Sequence, residues 1–249
     1  MASEEVVEED FFLGLFDRML EKRNPVRASD DEISESIQKF VDYFRINRSA
    51  AGACAADRFV SNADYWGYFY WHSPLSAAAT RNKALVAIRD CEKFRSCFNQ
   101  KLLKVVSVGG GSGSDLVGLF SAIYKNSVFQ DMFVHLVENI SRWKLYYEEL
   151  NKLLAENDFG DASQLLKNRR CFPFFIGADM RKAVIPDCKE ALNEANLVWM
   201  KGFLSTLAND SERHDITEVS ITELYKSWLD LRTLLLAKCG NLLHFARSP

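Results

Sequence analysis

Val105-Val106-Ser107-Val108-Gly109-Gly110-Gly111-Ser112-Gly113-Ser114-Asp115 joins an apolar run to a glycine turn, and a second apolar periodicity begins immediately at Leu116. The run Leu102 to Val108 predicts a strand that is apolar on both faces, as strands inside a parallel sheet are. Leu116, Leu119, Phe120 and Ile123 then fall on one side of a helix reaching about Tyr124. Glycines between such a strand and helix let the chain turn sharply and let a ligand reach main-chain N–H groups. The helix N-terminus beyond them favours a negative group. Glycine spacing decides which ligand. A dinucleotide fingerprint, G-x-G-x-x-G, would need its third glycine where Ser114 stands; Gly109, Gly111 and Gly113 give G-x-G-x-G instead. No Lys-Ser or Lys-Thr pair follows, which excludes a phosphate-cradling P-loop.

Further strands and helices alternate downstream. Met132 to Val137 predicts a second strand ending in Glu138 and Asn139, followed by a helix carrying Trp143, Tyr146, Leu150, Leu153 and Leu154. Phe172 to Gly177 predicts a third strand that ends near Asp179, and Ala195 to Met200 a fourth. Ser220 with Glu223 has capping-box spacing before Ile221, Leu224, Trp228, Leu231 and Leu235, a helix stopped at Gly240. Leu242 to Ala246 predicts a fifth strand. The fold class is therefore α/β, a doubly wound and mainly parallel sheet. Residues 1–100 read as a helical N-terminal region and 101–249 as the α/β domain. In the former, Ser29 with Glu32 caps a helix through Ile33, Ile37, Phe40, Val41 and Phe44, and a second helical stretch runs from about Leu75 to Phe98.

Composition narrows the function. Of 249 residues 48% are apolar and 12% aromatic, which excludes disordered and collagen-like classes and permits a packed core. A net charge of −3 gives no bulk attraction for nucleic acid. No apolar window is long enough to span a membrane, and the acidic start does not read as a secretory signal, so a soluble protein of the cytoplasm or nucleus is expected. Six cysteines without a C-x-x-C pair, and no histidine at zinc spacing, predict reduced thiols and no metal site.

From about residue 101 to 246 the chain resembles the class I S-adenosylmethionine-dependent methyltransferases, carried by the run Val105 to Gly113, by Glu138, by Asp179 with Met180, and by Leu197-Val198-Trp199-Met200-Lys201-Gly202-Phe203. The resemblance implies a Rossmann-like sheet and S-adenosylmethionine as cofactor. Gly109, Gly110, Gly111, Ser112 and Gly113 would wrap its methionine part. Glu138, with Asn139 beside it, would meet the ribose hydroxyls, where two carboxylate oxygens face two vicinal donors. Asp179 and Met180 would take the adenine, and Met200 would line the methyl-transfer side. The sequence departs from the family at Ser107, where an acidic residue is common. It departs again in ending soon after the fifth strand, where the family adds a closing hairpin.

The methyl acceptor is not legible. No residue is identified as catalytic, and the motifs of amino-group and cytosine C5 methylation on nucleobases are missing, so a small molecule or protein is expected as acceptor rather than nucleic acid. Asp64-Tyr65-Trp66-Gly67-Tyr68-Phe69-Tyr70-Trp71-His72 holds six aromatic residues in nine. Tyr65, Tyr68, Tyr70 and His72 are candidates for an acceptor wall, against packing of the N-terminal region onto the sheet. Lys167, Arg169 and Arg170 read as a basic cluster in a polar linker. A methyltransferase is the leading expectation. A catalytically inactive protein-interaction module of the same fold is the alternative, and a nicotinamide-dependent oxidoreductase is disfavoured by the glycine spacing. An unpaired fifth strand, Leu242 to Ala246, predicts self-association through that edge or its coverage by an N-terminal element.

Overall fold

A computed structural model describes residues 4–22, 27–46, 59–180 and 185–200. The predicted helix at 220–239, the fifth strand at 242–246 and the motif residues after Met200 lie outside the described residues. Among the described residues four strands, β1 (Leu102–Val108), β2 (Asp131–Glu138), β3 (Arg170–Gly177) and β4 (Leu197–Met200), form one all-parallel sheet in the order β3-β2-β1-β4. Val105 pairs with Val134 on one side and with Leu197 on the other, so β1 is interior, as its double-sided apolarity demands.

The helices are α1 (Glu4–Lys22), α2 (Asp30–Ile46), α3 (Asn62–Asp90), α4 (Glu92–Ser96), α5 (Ser114–Tyr124), α6 (Trp143–Glu156), α7 (Gly160–Asn168) and α8 (Pro186–Glu194). The chain steps outward from β1 to β3 and then returns past β1 to β4. Right-handed crossovers therefore place α5, α6 and α7 on one face and α8 on the other. The pleat sorts side chains to match. Leu103, Val105, Met132, Val134 and Leu136 join the large core with α5 and α6, whereas Val106, Val108 and Val137 meet Cys188, Ala191 and Leu192 of α8. Reversal of winding between β1 and β4 makes a switch point at the carboxyl ends of these strands, the arrangement of a Rossmann-like sheet. The large core is continuous across residue 100: Phe12, Leu15, Phe16 and Met19 of α1 and Trp66 and Phe69 of α3 share it with Leu116, Phe120 and Tyr146.

Several elements differ from the sequence expectation. The Ser29–Glu32 box forms, with Ser29 N donating to Glu32 at 2.8 Å. The second helical stretch, however, starts at Ser61 rather than near Leu75. A second box with Asp64 caps it, it passes through Pro74, and it ends at Asp90, leaving α4 separate. The aromatic segment is thus helical. Helix α1 was not anticipated, because its apolar residues Phe11 to Phe16 cluster within a short acidic sequence. The polar linker before β3 is in fact helix α7. The two arginines beyond it are engaged locally: Arg170 pairs with Asp131, and Arg169 sits 5.7 Å from the centre of the Phe129 ring. The fourth strand begins at Leu197, since Ala195 closes α8.

Candidate functional site

Beyond Val108 the chain turns through Gly109, Gly111 and Gly113, all at positive φ (66°, 53° and 85°). Gly109 N donates to Val137 O at 2.8 Å, which ties the turn to the end of β2. Two of the glycines are required by packing. A Cβ at Gly110 would lie 2.7 Å from Ser107 Oγ, and one at Gly113 2.6 Å from the Tyr147 ring. Gly111 is different, because a Cβ there would meet nothing within 4 Å. Its left-handed backbone faces open space, which is the condition for a ligand to approach the main chain. Gly113 leaves the α5 N-terminus without a side-chain cap.

Glu138, the last residue of β2, closes the other side. It is only 8% exposed. Its two oxygens accept from Gly111 N at 3.1 Å and Ile140 N at 3.0 Å, so one carboxylate locks the glycine turn to the β2 end. Burial raises its pKa, opposed by these backbone donors and assisted by the nearby Asp179 charge. Asn139 is exposed beside it. Asp179 stands just past β3, half-buried. Met180 is buried against α8, with Cys188 Sγ 3.6 Å from its sulfur. Met200 ends β4 directly opposite Val108.

Sequence reading missed how α3 enters this site. Ser76 Oγ and Thr80 Oγ1 both donate to the buried Asp115 in the first turn of α5, the latter at 3.4 Å, and Ser73 Oγ lies 3.5 Å from Ser112 Oγ. The signal was available as serines and a threonine at helical spacing (73, 76, 80) facing Ser112 and Asp115 of the motif. Close approach is enforced at Gly118, where any Cβ would run into the Ala77 carbonyl oxygen. One to three turns earlier on α3, Tyr68 stacks on His72 (5.0 Å between ring centres) and Tyr65 packs on Trp143 (5.2 Å) at the start of α6. Helix α3 therefore crosses the carboxyl ends of β1 and β2, from Asp115 on one side to Trp143 on the other.

The candidate residues separate accordingly. Tyr65, Tyr68 and His72 lie on the crossing face, with Tyr65 itself buried among rings. Tyr70 sits about 200° around the helix from Tyr68, and its hydroxyl donates to Asp17 of α1 at 3.0 Å, away from the crevice. Two open grooves of about 340 Å³ lie elsewhere, one along α6 and β3 at Tyr147, Asn151 and Phe175, the other beside α8 at Lys104, His135 and Phe174. No residue of the glycine turn lines either groove, although Tyr147 of the first also packs on Gly113, and the convergence of turn, helix N-terminus and carboxylates singles out the crevice instead.

Among the described residues no three His, Cys, Asp or Glu side chains gather as a metal site, Cys91, Cys97, Cys171 and Cys188 are free thiols, and no helix is long and apolar enough to cross a membrane. The chain matches no family model, no curated protein and no solved structure. Function is read from the geometry.

Proposed function

We propose that the chain is an S-adenosylmethionine-dependent methyltransferase whose cofactor lies in the crevice between the glycine turn, the β2 end and α3. The observation that carries this reading is the pairing of Gly111 with Glu138. An open, left-handed glycine is held by a buried carboxylate at the switch point of a parallel sheet. The donor set fits the cofactor: Glu138 retains lone pairs for two ribose hydroxyls, and the turn from Gly109 to Gly113 presents backbone to an extended chain. Asp179 would accept from the adenine amine, and Met200 would flank the reacting side. Met180 would contribute only its edge, because its sulfur is turned to Cys188.

When bound, the cofactor supplies a methyl group activated by the positive charge of its sulfur. The protein's part is to hold acceptor and methyl in line and to exclude water, the work of the α3 cover. Burial holds the phenols of Tyr65 and Tyr68 protonated, so near neutral pH they act as hydrogen-bond donors and not as bases.

Thermal melting with S-adenosylhomocysteine and with NAD tests the assignment. A ligand at one hundred times its Kd stabilises the folded state by about 2.7 kcal/mol, or about 5 to 11 °C for a chain of this size. The former should produce that shift and the latter none; equal responses would contradict it. Binding of S-adenosylhomocysteine without methyl transfer to any small-molecule or protein acceptor would identify an inactive interaction module.

A further inference from the structure

The α8 side of the sheet carries an aromatic ladder away from the crevice. Phe133 of β2 stands 4.9 Å from Phe172 and 6.0 Å from Phe174 of β3, and His135 stacks on Phe174 at 5.0 Å, with interplanar angles of 24° or less. Parallel pairing sets the rings side by side on one face, Phe133 opposite Phe172 and His135 opposite Phe174. Helix α8 packs on Val106, Val108 and Val137 and leaves the β3 half of this face bare, so Phe172 and Phe174 are 41% and 43% exposed. Adjacent large apolar side chains left open to water mark a contact surface.

The strand edge beside the ladder is closed to pairing. Arg170 N donates to Gln130 O and Ala178 N to Glu138 O, so even-numbered residues of β3 turn their main chain toward β2 and odd-numbered ones turn it outward. Pro173 stands in the middle of the outward row and has no N–H to offer. A continuous strand cannot be added there, so a partner must come onto the face. The charges around the rings select it. Arg170 at the start of β3 and Glu194 at the end of α8 are exposed on different sides of the ladder, with Asp131 and Lys104 beside them. Two bases and two acids give no net attraction to a polyanion or a polycation, but they complement a second copy of themselves.

We propose that the ladder is the interface of a two-fold dimer, in which Phe172 and Phe174 of two copies pack face to face and Arg170 of each meets Glu194 of the other. Sheet faces pack about 10 Å apart, a space that rings standing on both surfaces fill. A net charge of −3 imposes little repulsion between copies, and two-fold closure buries both ladders at once. The ladder occupies the middle of β2 and β3, whereas the glycine turn and Glu138 lie at the carboxyl end of the sheet, so both crevices stay open. The surface is distinct from the Leu242 to Ala246 edge.

Sedimentation velocity of the full chain over a range of concentrations tests this. The wild type should reach twice the chain mass. Phe172→Glu and Phe174→Glu, at exposed positions, should each raise the dimer Kd by about tenfold or more, with melting curves confirming that the variants are folded, and Phe245→Lys should leave it unchanged. Arg170→Glu and Glu194→Arg should each weaken association alone and restore it when mixed, because every contact in the mixed dimer again joins opposite charges. Radical footprinting of the wild type needs no variant: oxidation of Phe172 and Phe174 should fall as concentration rises. A monomer at all concentrations, a dimer that survives both Phe variants, or loss of the dimer through Phe245→Lys alone would overturn the proposal. So would rings protected from oxidation at every dilution, which would assign their cover to another part of the same chain. A mixture of the two charge variants that stays monomeric would overturn the pairing of Arg170 with Glu194.

Discussion

Gly118→Ala tests the contact that places α3 over the crevice. Replacing a glycine inside a helix by alanine normally stabilises by about 1 kcal/mol. Here the new methyl group would overlap the Ala77 carbonyl oxygen and lie 2.9 Å from both Ala77 C and Arg81 N. These are backbone atoms of a packed helix, so no rotamer change relieves the clash and α3 must move off α5. Overpacking of this kind costs about 1 to 3 kcal/mol, and the rigid neighbours put it at the upper end. The net expectation is a loss of about 2 kcal/mol, after subtraction of the propensity gain. In a chain of this size that lowers the melting temperature by about 4 to 8 °C. Separation of the helices also pulls Ser73, Ser76 and Thr80 from Ser112 and Asp115, so S-adenosylhomocysteine affinity should fall in the same variant. Gly14→Ala is the internal control. Its Cβ would touch only the Phe159 ring, at 3.9 Å, and it should stabilise by about 1 kcal/mol. Urea unfolding of the two variants beside the wild type gives both numbers. A Gly118→Ala protein as stable as the Gly14→Ala protein would refute the close crossing and with it the placement of α3.

Glu138→Ala should weaken S-adenosylhomocysteine binding by about 1 to 3 kcal/mol, read by calorimetry, because it removes the acceptor and frees the Gly111 turn; unchanged affinity would make Glu138 a lock for the turn alone. Gly111→Ala and Gly113→Ala should behave oppositely. The first carries about 1 to 2 kcal/mol of left-handed strain but strikes no protein atom, so thermal melting should change modestly while ligand binding is lost. The second meets the Tyr147 ring at 2.6 Å and should lower stability most. Glu8 offers a pH test. Burial among Ser121, Asp161 and Gly160 raises its pKa above the ordinary 4.5, against hydrogen bonds from Ser121 Oγ and Asp161 N and the charge of Arg81. The folded state then holds that proton more tightly than the unfolded state. Its contribution is present in full below pH 4.5 and is lost as pH rises through the raised value. Glu8→Gln should flatten that fall in a pH series of unfolding curves, and an unaltered slope would exclude Glu8 as its source.

The sheet was readable because β1 and β2 are apolar on both faces and end in a glycine turn and a carboxylate, features that few other local structures share. Gly111 and Glu138 were each legible as strand-end features, but the hydrogen bond from Gly111 N to Glu138 was not, because it depends on how the turn folds back across two adjacent parallel strands. Asp115 was hidden, because an acid in the first turn of a helix is also what the helix dipole favours; only α3 shows that it is buried and bonded from outside. The N-terminal half of α3 was obscured by Pro74 and by six aromatic residues within the seven positions Tyr65 to Trp71, which erase the apolar periodicity of a helix. Tyr65, Trp66 and Phe69 proved to be core, packed on Trp143 and Tyr146, whereas Tyr68 and His72 keep a half-buried position at the crevice. Helix α7 was invisible for a simpler reason: Ala162, Ser163 and Leu165 give it too short a buried stripe to read.

The central claim, that the glycine turn and the β2 end form one cofactor site, is tested most directly by amide chemical-shift mapping with S-adenosylhomocysteine. The account predicts the largest perturbations at Gly109 to Asp115 and at Glu138 to Ile140, with smaller ones at Tyr68 and Ser73 on α3. No perturbation at these residues under saturating ligand, or perturbations centred on the grooves at Tyr147 or His135, would contradict it.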